Sequence, residues 1–596
     1  MGAGVIAPCR NPVRSQAITV LDASPDLPEA LAELRGPAPD EAAWRTLPRA
    51  LQEAAALDHP LFTLHGGKAP CPLPARALLA GARAWAATLR AAGVPAGATV
   101  PILLPTSTDF VEALVGCMWA GIVPVPLASP MTFGAVDRFL SNLADVVQDA
   151  GSAAILTSPR MRDAIGRDPR LAGQLETILL PTDRLEAAEG PEGDAHPEIE
   201  LETLAFLQYT SGTTGRPKGA MITHRALAAN AQAIYRGLGL GPEDVGMSWL
   251  PLFHDMGLIG VLLTAIHHPY RVHFMAPEAF VMRPERWLTL LSETGATLSA
   301  APNFAYELCV KRARDLGEHR LDRWRLALNG AEPVHRTTLE RFAARFGPDG
   351  FRPEAALPVY GLAESTLAVT FTEPGAGAEI LRVDRKALEE QGLALPSSEE
   401  GALDAISAGR PVVGARIRIR GPEGVLAERR VGAIETRGPS LMQGYYRNPE
   451  ASAEALVDGW LQTGDLGFVH EGRLFIVGRA KEVVIKGGRN IYPYDIERVA
   501  TELEDVVAAA AFGRGNPETG TDDLVVILET RARDEARRAE LEKSLRAALL
   551  AAIGAKADEI HLWAVGSLPR TTSGKVRRAE CARRVSTPAN AAGELS

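Results

Sequence analysis

Between Arg76 and Leu127 the chain switches repeatedly between two hydrophobic periods, and this alternation limits the folds open to it more than any other feature. RALLAGARAWAATLRAA (Arg76–Ala92) sets Leu78, Leu79, Ala82, Trp85, Ala86 and Leu89 near helical spacing and stops at Gly93. TVPILL follows, ending at Leu104, then the helical DFVEALVGCMWAG, then VPVPL. Helix, strand, helix, strand in that order predicts an α/β architecture. At 596 residues, 46% of them apolar, the chain exceeds what one core of ~250–300 residues holds, so more than one domain is expected.

The later part differs. DLVVIL (Asp523–Leu528) reads as a strand, and the helix after it should place Leu541, Leu545, Leu549 and Ala552 on one face, giving a small α+β unit. Between the two parts lies GRAKEVVIKGGRNIYP, where Arg479, Lys481 and Lys486 flank Gly478, Gly487 and Gly488. The boundary is placed there, with a large domain over 46–478 and a small one over 482–596. Residues 1–45, rich in Ala, Pro and Asp and weak in periodicity, read as an extension or adaptor.

Charge and cysteine usage exclude several classes. The net charge of −10 is spread along the chain, so no basic stripe argues for nucleic acid or an acidic membrane surface. Cys9, Cys71, Cys117, Cys309 and Cys581 lie far apart, without CxxC or His/Cys ligand spacing, and read as reduced thiols in a cytoplasm. The first residues lack a basic start followed by an apolar core, so no signal peptide is expected. The long uncharged run Ala113–Val136 is broken by Pro124, Pro126 and Pro130, which suits buried strand and turn better than a membrane span.

The stretch YTSGTTGRPKG (Tyr209–Gly219) is chemically suited to phosphate. Backbone N–H groups of a Gly-rich turn can converge on one anion, small hydroxyls add donors, and Lys218 supplies a point charge. It is not a Walker A loop, because Pro217 stands five residues after Gly212 and Gly219 follows Lys218. A Gly/Ser/Thr run also suits an exposed linker, and the stretch alone leaves both readings open.

Four further segments join it in order: YGLAEST from Tyr360, TGDLG from Thr463, GRAKEVVIKGGRNIYPYDIE from Gly478 and PRTTSGKVRR from Pro569. Together the five resemble the motifs of the adenylate-forming superfamily: acyl-CoA synthetases, peptide-synthetase adenylation domains and luciferases. The resemblance implies a large multi-subdomain N-terminal domain and a small mobile C-terminal domain, with ATP and Mg²⁺ as cofactors. It also implies two half-steps, formation of acyl-AMP with release of pyrophosphate and then acyl transfer to a thiol.

The roles it implies fall on matching positions. Thr210, Ser211, Gly212, Thr213, Thr214, Gly215 and Lys218 would embrace the β- and γ-phosphates. Glu364 would hold Mg²⁺, a hard cation that prefers carboxylate oxygen. Tyr360, with Gly361 after it, would stack on adenine beside Gly330 and Ala331 of NGAEPV. Asp465 would accept both ribose hydroxyls, Arg479 would also reach the ribose, and Lys575 would swing in to bridge the substrate carboxylate and the α-phosphate. Lys481 matches the hinge about which the C-terminal domain turns, although a lysine there also reads as plain surface. One position departs from the family: Ala363 stands where a threonine usually contacts the α-phosphate, and Ser365 or Thr366 is the candidate substitute.

SWLPLFHDMGLIG (Ser248–Gly260) narrows the acid. Amino-acid-activating relatives keep a phenylalanine–aspartate pair near here, whereas this chain has His254 before Asp255. With APNFAYELC (Ala301–Cys309), the segment resembles fatty acyl-AMP ligases, in which His254 would gate the acyl tunnel; a core histidine is the plainer alternative. Residues 376–406 resemble the insertion that marks the same subgroup, which is expected to restrain domain motion and disfavour CoA. The expected activity is therefore activation of a fatty acid and its transfer to the phosphopantetheine arm of an acyl carrier protein. The alternatives are a long- or medium-chain acyl-CoA ligase and a degenerate nucleotide-binding protein.

Overall fold

The alternation at 76–127 is realised as helix Ala75–Ala91, strand Thr99–Leu103, helix Thr108–Trp119 and strand Val123–Pro126. Ser107 caps the second helix, its hydroxyl accepting the Phe110 N–H at 3.2 Å. Thr99–Leu103 is buried along its whole length, as a parallel strand covered on both faces must be. Its prolines fit the ladder: Val123–Pro126 is an edge strand, and Pro101 precedes the pairing with Ala154–Thr157, which begins at Ile102. Strand Thr177–Leu179 completes this parallel sheet.

The computed structural model describes residues 18–21, 28–67, 69–129, 136–185, 198–210, 217–399, 401–517, 519–571 and 575–586. Among them the largest sheet has nine strands. Its parallel centre runs in the spatial order Ala356–Gly361, Leu326–Asn329, Leu298–Ala301, Val245–Ser248, Arg271–Met275 and Phe62–His65. Short antiparallel strands close both edges. Helix His224–Gly237, capped by Thr223, and helix Asn303–Arg312 belong to the segments joining these strands.

A third, antiparallel sheet is built on Arg416–Gly421, Gly432–Arg437, Trp460–His470 and Arg473–Arg479. The described part of the N-terminal stretch is woven into the body. Glu33–Arg35 pairs with Arg416–Gly421, and Ile18–Val20 runs parallel to Ala378–Val383. Ala378–Val383 in turn pairs with Leu403–Ile406, so residues 376–406 form a hairpin-like unit that the N-terminal strand widens.

After Arg479 the chain passes through the 3₁₀ turn Ala480–Glu482 into the C-terminal unit. Strands Val506–Asn516, Thr521–Thr530 and Glu559–Ala564 form its sheet, and helix Glu535–Ile553 packs on it. The buried stripe of that helix is Leu541, Leu545, Leu549 and Ile553. Ala552, expected on this face, is exposed. Four-residue steps drift about 40° per step around the helix, and the larger Ile553 side chain takes the last inward position. Of the cysteines, Cys71, Cys117, Cys309 and Cys581 are free thiols, and no described helix is long and apolar enough to cross a membrane.

Candidate active site

A cleft of about 2340 Å³ opens between the large part of the chain and the C-terminal unit. Thr210, Lys218, His254, Ala331, Tyr360, Gly361, Glu364, Asp465, Arg479, Lys481 and Lys575 all line it. These residues come from segments up to 365 positions apart in sequence, so their convergence is a property of the fold. Gly330 and Ser365 are not part of the lining.

The phosphate-loop segment begins as a β-hairpin. Strand Leu204–Thr210 pairs antiparallel with Lys218–Thr223, and Thr210 sits opposite Lys218 where the loop leaves the ladder. Ser211, Gly212, Thr213, Thr214 and Gly215 lie outside the described residues. The start of the loop is anchored by Tyr209, whose hydroxyl donates to Asp149 Oδ2 at 2.5 Å. Burial, then the Asp149 contact, raises the Tyr209 phenol far above its ordinary range, so it stays a donor.

Tyr360, Asp465 and Arg479 form a connected polar row. Tyr360 donates its hydroxyl to Asp465 Oδ2 at 2.7 Å, and Arg479 Nε lies 3.0 Å from Asp465 Oδ1. Asp465 and Arg479 are directly opposed on neighbouring strands, which fixes their pairing. Each carboxylate oxygen retains a lone pair for a further hydroxyl donor. Burial, the Asp465 charge and the hydrogen bond to it hold the Tyr360 phenol protonated. Gly330 is required by space, since a Cβ there would lie 2.7 Å from Val359 Cγ2 and 2.8 Å from its carbonyl oxygen. Gly361 is tighter still, with Leu367 O at 2.0 Å from an added Cβ.

Glu364 sits in the 3₁₀ turn Ala363–Ser365, directly after the strand that carries Tyr360. Its backbone carbonyl accepts the Met442 N–H at 2.8 Å, and its carboxylate accepts the Tyr445 hydroxyl at 2.8 Å. Ala363 lines the cleft, while Ser365 is buried with its hydroxyl unpaired, and Thr366, fully buried, gives its hydroxyl to Ser440 O at 2.6 Å. Among the described residues no group of three or more His, Cys, Asp or Glu could hold a metal unaided. A lone carboxylate in the cleft that also holds Lys218 suits a hard cation such as magnesium, whose other ligands would come from phosphate and water.

Lys575 enters from the C-terminal unit. Its carbonyl accepts the Thr571 N–H at 2.8 Å and its N–H donates to Thr571 Oγ1 at 3.1 Å, which ties Lys575 to Thr571 in the cleft lining. Its charge reaches two carboxyls across the cleft. At Asp255, burial works upward, but the adjacent His254 and then Lys575 bring the carboxyl below its ordinary value. At Glu332, burial prevails and raises it, against the Phe304 N–H and Lys575. His254 Nδ1 lies 2.7 Å from Asp255 Oδ1, which also accepts the Met256 N–H at 2.7 Å in the short turn that opens the segment Asp255–His267.

The cleft lining also includes the apolar side chains of Met247, Trp249, Val261, Leu298, Leu328 and Phe371. Trp249 stacks on Phe280 with ring centroids 3.9 Å apart and meets Phe304 edge-on at 6.2 Å. Lys481 is exposed, but its neighbour Glu482 pairs with Arg578 at 2.6 Å. Arg578 also holds Glu497 at 2.7 Å and lies 4.2 Å over the Tyr494 ring. Glu332, Asp149 and Tyr445 were not legible as site residues, because each earns its place only through a partner remote in sequence.

The AMP-binding enzyme family model matches residues 73–446. A medium-chain-fatty-acid–[acyl-carrier-protein] ligase, JamA of Moorena producens, is 33% identical over 500 residues, covering 80% of this chain and 84% of JamA. The long-chain-fatty-acid–AMP ligase FadD26 of Mycobacterium tuberculosis is 34% identical over 532 residues, covering 83% and 88%. A putative acyl-CoA synthetase of Caulobacter vibrioides is 36% identical over 502 residues, covering 83% and 86%. Among solved structures, one from work on fatty acyl-adenylate ligases of E. coli and L. pneumophila superposes with a TM-score of 0.86 at 36% identity, covering 93% of this chain and all of that one. With a family model spanning more than half its length and relatives of this identity and coverage, the chain belongs to the AMP-binding, adenylate-forming ligases and resembles the fatty acyl-AMP ligases among them.

Proposed function

We propose that this protein activates a fatty acid with ATP to acyl-AMP and pyrophosphate and then passes the acyl group to the phosphopantetheine thiol of a carrier protein, working in the cytoplasm. The observation that carries this reading is the position of Lys575. From the C-terminal unit it lines the same cleft as the polar row Tyr360–Asp465–Arg479 and the apolar side chains of Met247, Trp249 and Leu298, and its charge acts on Asp255 and Glu332. A carboxylate whose tail lies along those apolar side chains and an α-phosphate whose nucleoside meets the row would share that cleft with the Lys575 ammonium.

In the first step a carboxylate oxygen attacks the α-phosphorus, the new P–O bond forms, and the bond to the β-phosphate bridging oxygen breaks as pyrophosphate departs. Two anions must approach, and Lys575 lowers their repulsion. Lys218 offsets charge on the departing phosphates, a preorganised cation aimed at the group where charge gathers. Magnesium, when bound through Glu364, would supply Lewis-acid neutralisation of the phosphate oxygens. In the second step the thiol sulfur, attacking as thiolate after losing its proton to solvent, forms a C–S bond with the acyl carbon, the bond from that carbon to the AMP phosphate oxygen breaks, and AMP leaves. Lys575 must withdraw for this, and Lys481, the middle residue of the Ala480–Glu482 turn, is the proposed pivot.

The acceptor preference is supported by contacts of residues 376–406. Arg385 pairs with Asp495 of the C-terminal unit at 3.2 Å, and Glu389, almost fully buried, pairs with Arg489 of that unit. These contacts would hold the C-terminal unit in its present arrangement and so penalise the one that admits free CoA, while docking of a carrier could offset the penalty. The second reading, an acyl-CoA ligase, is favoured by the Caulobacter relative's name. One assay separates them: the purified protein with ATP, Mg²⁺ and a chain-length series of fatty acids, followed by mass spectrometry with CoA or with holo-carrier. Acyl-AMP persisting with CoA and acyl-carrier forming with holo-carrier supports the first reading; rapid acyl-CoA formation rejects it.

A further inference from the structure

One aromatic ring joins the two halves of the phosphate end of the cleft. Residues 442–446 run along the free edge of the Lys218–Thr223 strand. Gln443 N–H donates to Met221 O at 2.9 Å, Met221 N–H to Gly444 O at 2.9 Å, and Tyr446 N–H to Gly219 O at 2.8 Å. The same segment reaches Glu364, since Met442 N–H donates to the Glu364 carbonyl at 2.8 Å. Tyr445 is itself pinned, its N–H donating to Ser452 Oγ at 2.8 Å. From this fixed backbone its hydroxyl reaches Glu364 Oε1 at 2.8 Å, and the Lys218 ammonium lies 5.1 Å from its ring centroid. The hydroxyl claims one carboxylate oxygen, and among the described residues no hydrogen bond claims the other.

We propose that Tyr445 is a positioning residue for nucleotide binding: its hydroxyl orients the Glu364 carboxylate toward the phosphate cation, and its ring carries the Lys218 ammonium. The two contacts belong to different parts of one side chain, so they can be removed separately. Phenylalanine keeps the ring under Lys218 and loses only the hydroxyl. Leucine loses both. A phenol also suits the task electrically, because it donates to a carboxylate without adding a second positive charge beside Lys218. The electron-rich face of the ring attracts the ammonium while leaving its donors free for phosphate. The inference rests on the reading of Glu364 and Lys218 as ATP-binding groups.

The test measures binding of αβ-methylene-ATP to the full chain by calorimetry, once with Mg²⁺ and once with EDTA, so that no turnover is read. Tyr445→Phe should raise Kd about tenfold with Mg²⁺, the scale of one hydrogen bond to a charged group, and leave Kd in EDTA unchanged. Tyr445→Leu should also raise Kd in EDTA, and that extra loss should vanish when Lys218→Ala is already present. In a Glu364→Gln background Tyr445→Phe should add less than about twofold. Equal weakening by Tyr445→Phe with Mg²⁺ and with EDTA, full additivity with Glu364→Gln, or no effect of Tyr445→Phe while Glu364→Gln abolishes the Mg²⁺ gain would each overturn the role of Tyr445 alone. If Glu364→Gln itself leaves the Mg²⁺ gain intact, the metal assignment falls and this inference falls with it.

Discussion

Tyr360 and Asp465, 105 residues apart, meet at 2.7 Å, phenol to carboxylate, and the second carboxylate oxygen is held by Arg479 at 3.0 Å. The acid that would accept a ribose is therefore oriented before any nucleotide arrives. Asp465→Asn removes the charge opposite Arg479 and one acceptor oxygen. It should raise the KM for ATP by ~10–100-fold, the scale of a hydrogen bond to a charged group of about 1.5–3 kcal/mol. Tyr360→Phe should cost less, because Arg479 still holds the carboxylate. Pyrophosphate-exchange kinetics at varied ATP reads both, and equal KM values for Asp465→Asn and wild type would remove Asp465 from the nucleotide site.

Lys575→Ala should separate the two proposed half-steps. Lys575→Ala should lower acyl-AMP formation by ~10²-fold or more, as loss of a preorganised catalytic charge does, with transfer from supplied acyl-AMP to holo-carrier retained within a few-fold. The two rates are measured independently by mass spectrometry. Parallel loss of both would count against a Lys575 that leaves the cleft between steps.

Residues 376–406 meet the C-terminal unit through Arg385–Asp495 and Glu389–Arg489, and loosening these contacts should shift the acceptor toward CoA. The double change Arg385→Ala with Glu389→Gln removes the pair to Asp495 and the charge opposite Arg489. A shift of about 1.4 kcal/mol in the domain equilibrium changes a population tenfold, so acyl-CoA formation should rise by about that factor. Unchanged acyl-CoA output, with adenylation intact, would detach these contacts from acceptor choice.

Arg578 is a stability residue. Its side chain is 7% exposed, paired with Glu482 and Glu497 and stacked over Tyr494. Burial opposes its charge, but the acids around it more than compensate and hold the guanidinium firmly charged. Arg578→Ala would strand two carboxylates and should destabilise the C-terminal unit by about 3–5 kcal/mol, the cost of breaking a buried pair from one side. Thermal melts and limited proteolysis of the C-terminal unit read this; a melting temperature equal to wild type would contradict it.

What the sequence determined by itself was local: the helix–strand alternation from Ala75 to Pro126 and the short motifs carrying Lys218, Glu364, Asp465 and Lys575. Hydrophobic period and motif spacing act over a turn or a strand, so they are legible without knowing what packs where. The end of the last long helix already shows the limit, because whether Ala552 or Ile553 faces inward depends on the sheet beneath it. Tertiary structure alone decided that the strand Ile18–Val20 joins Ala378–Val383 and that Glu389 meets Arg489. It also decided that Tyr445 stands between Glu364 and Lys218. Each of these contacts joins residues at least 81 positions apart, where strand register and interdomain packing, not local propensity, set which side chains meet.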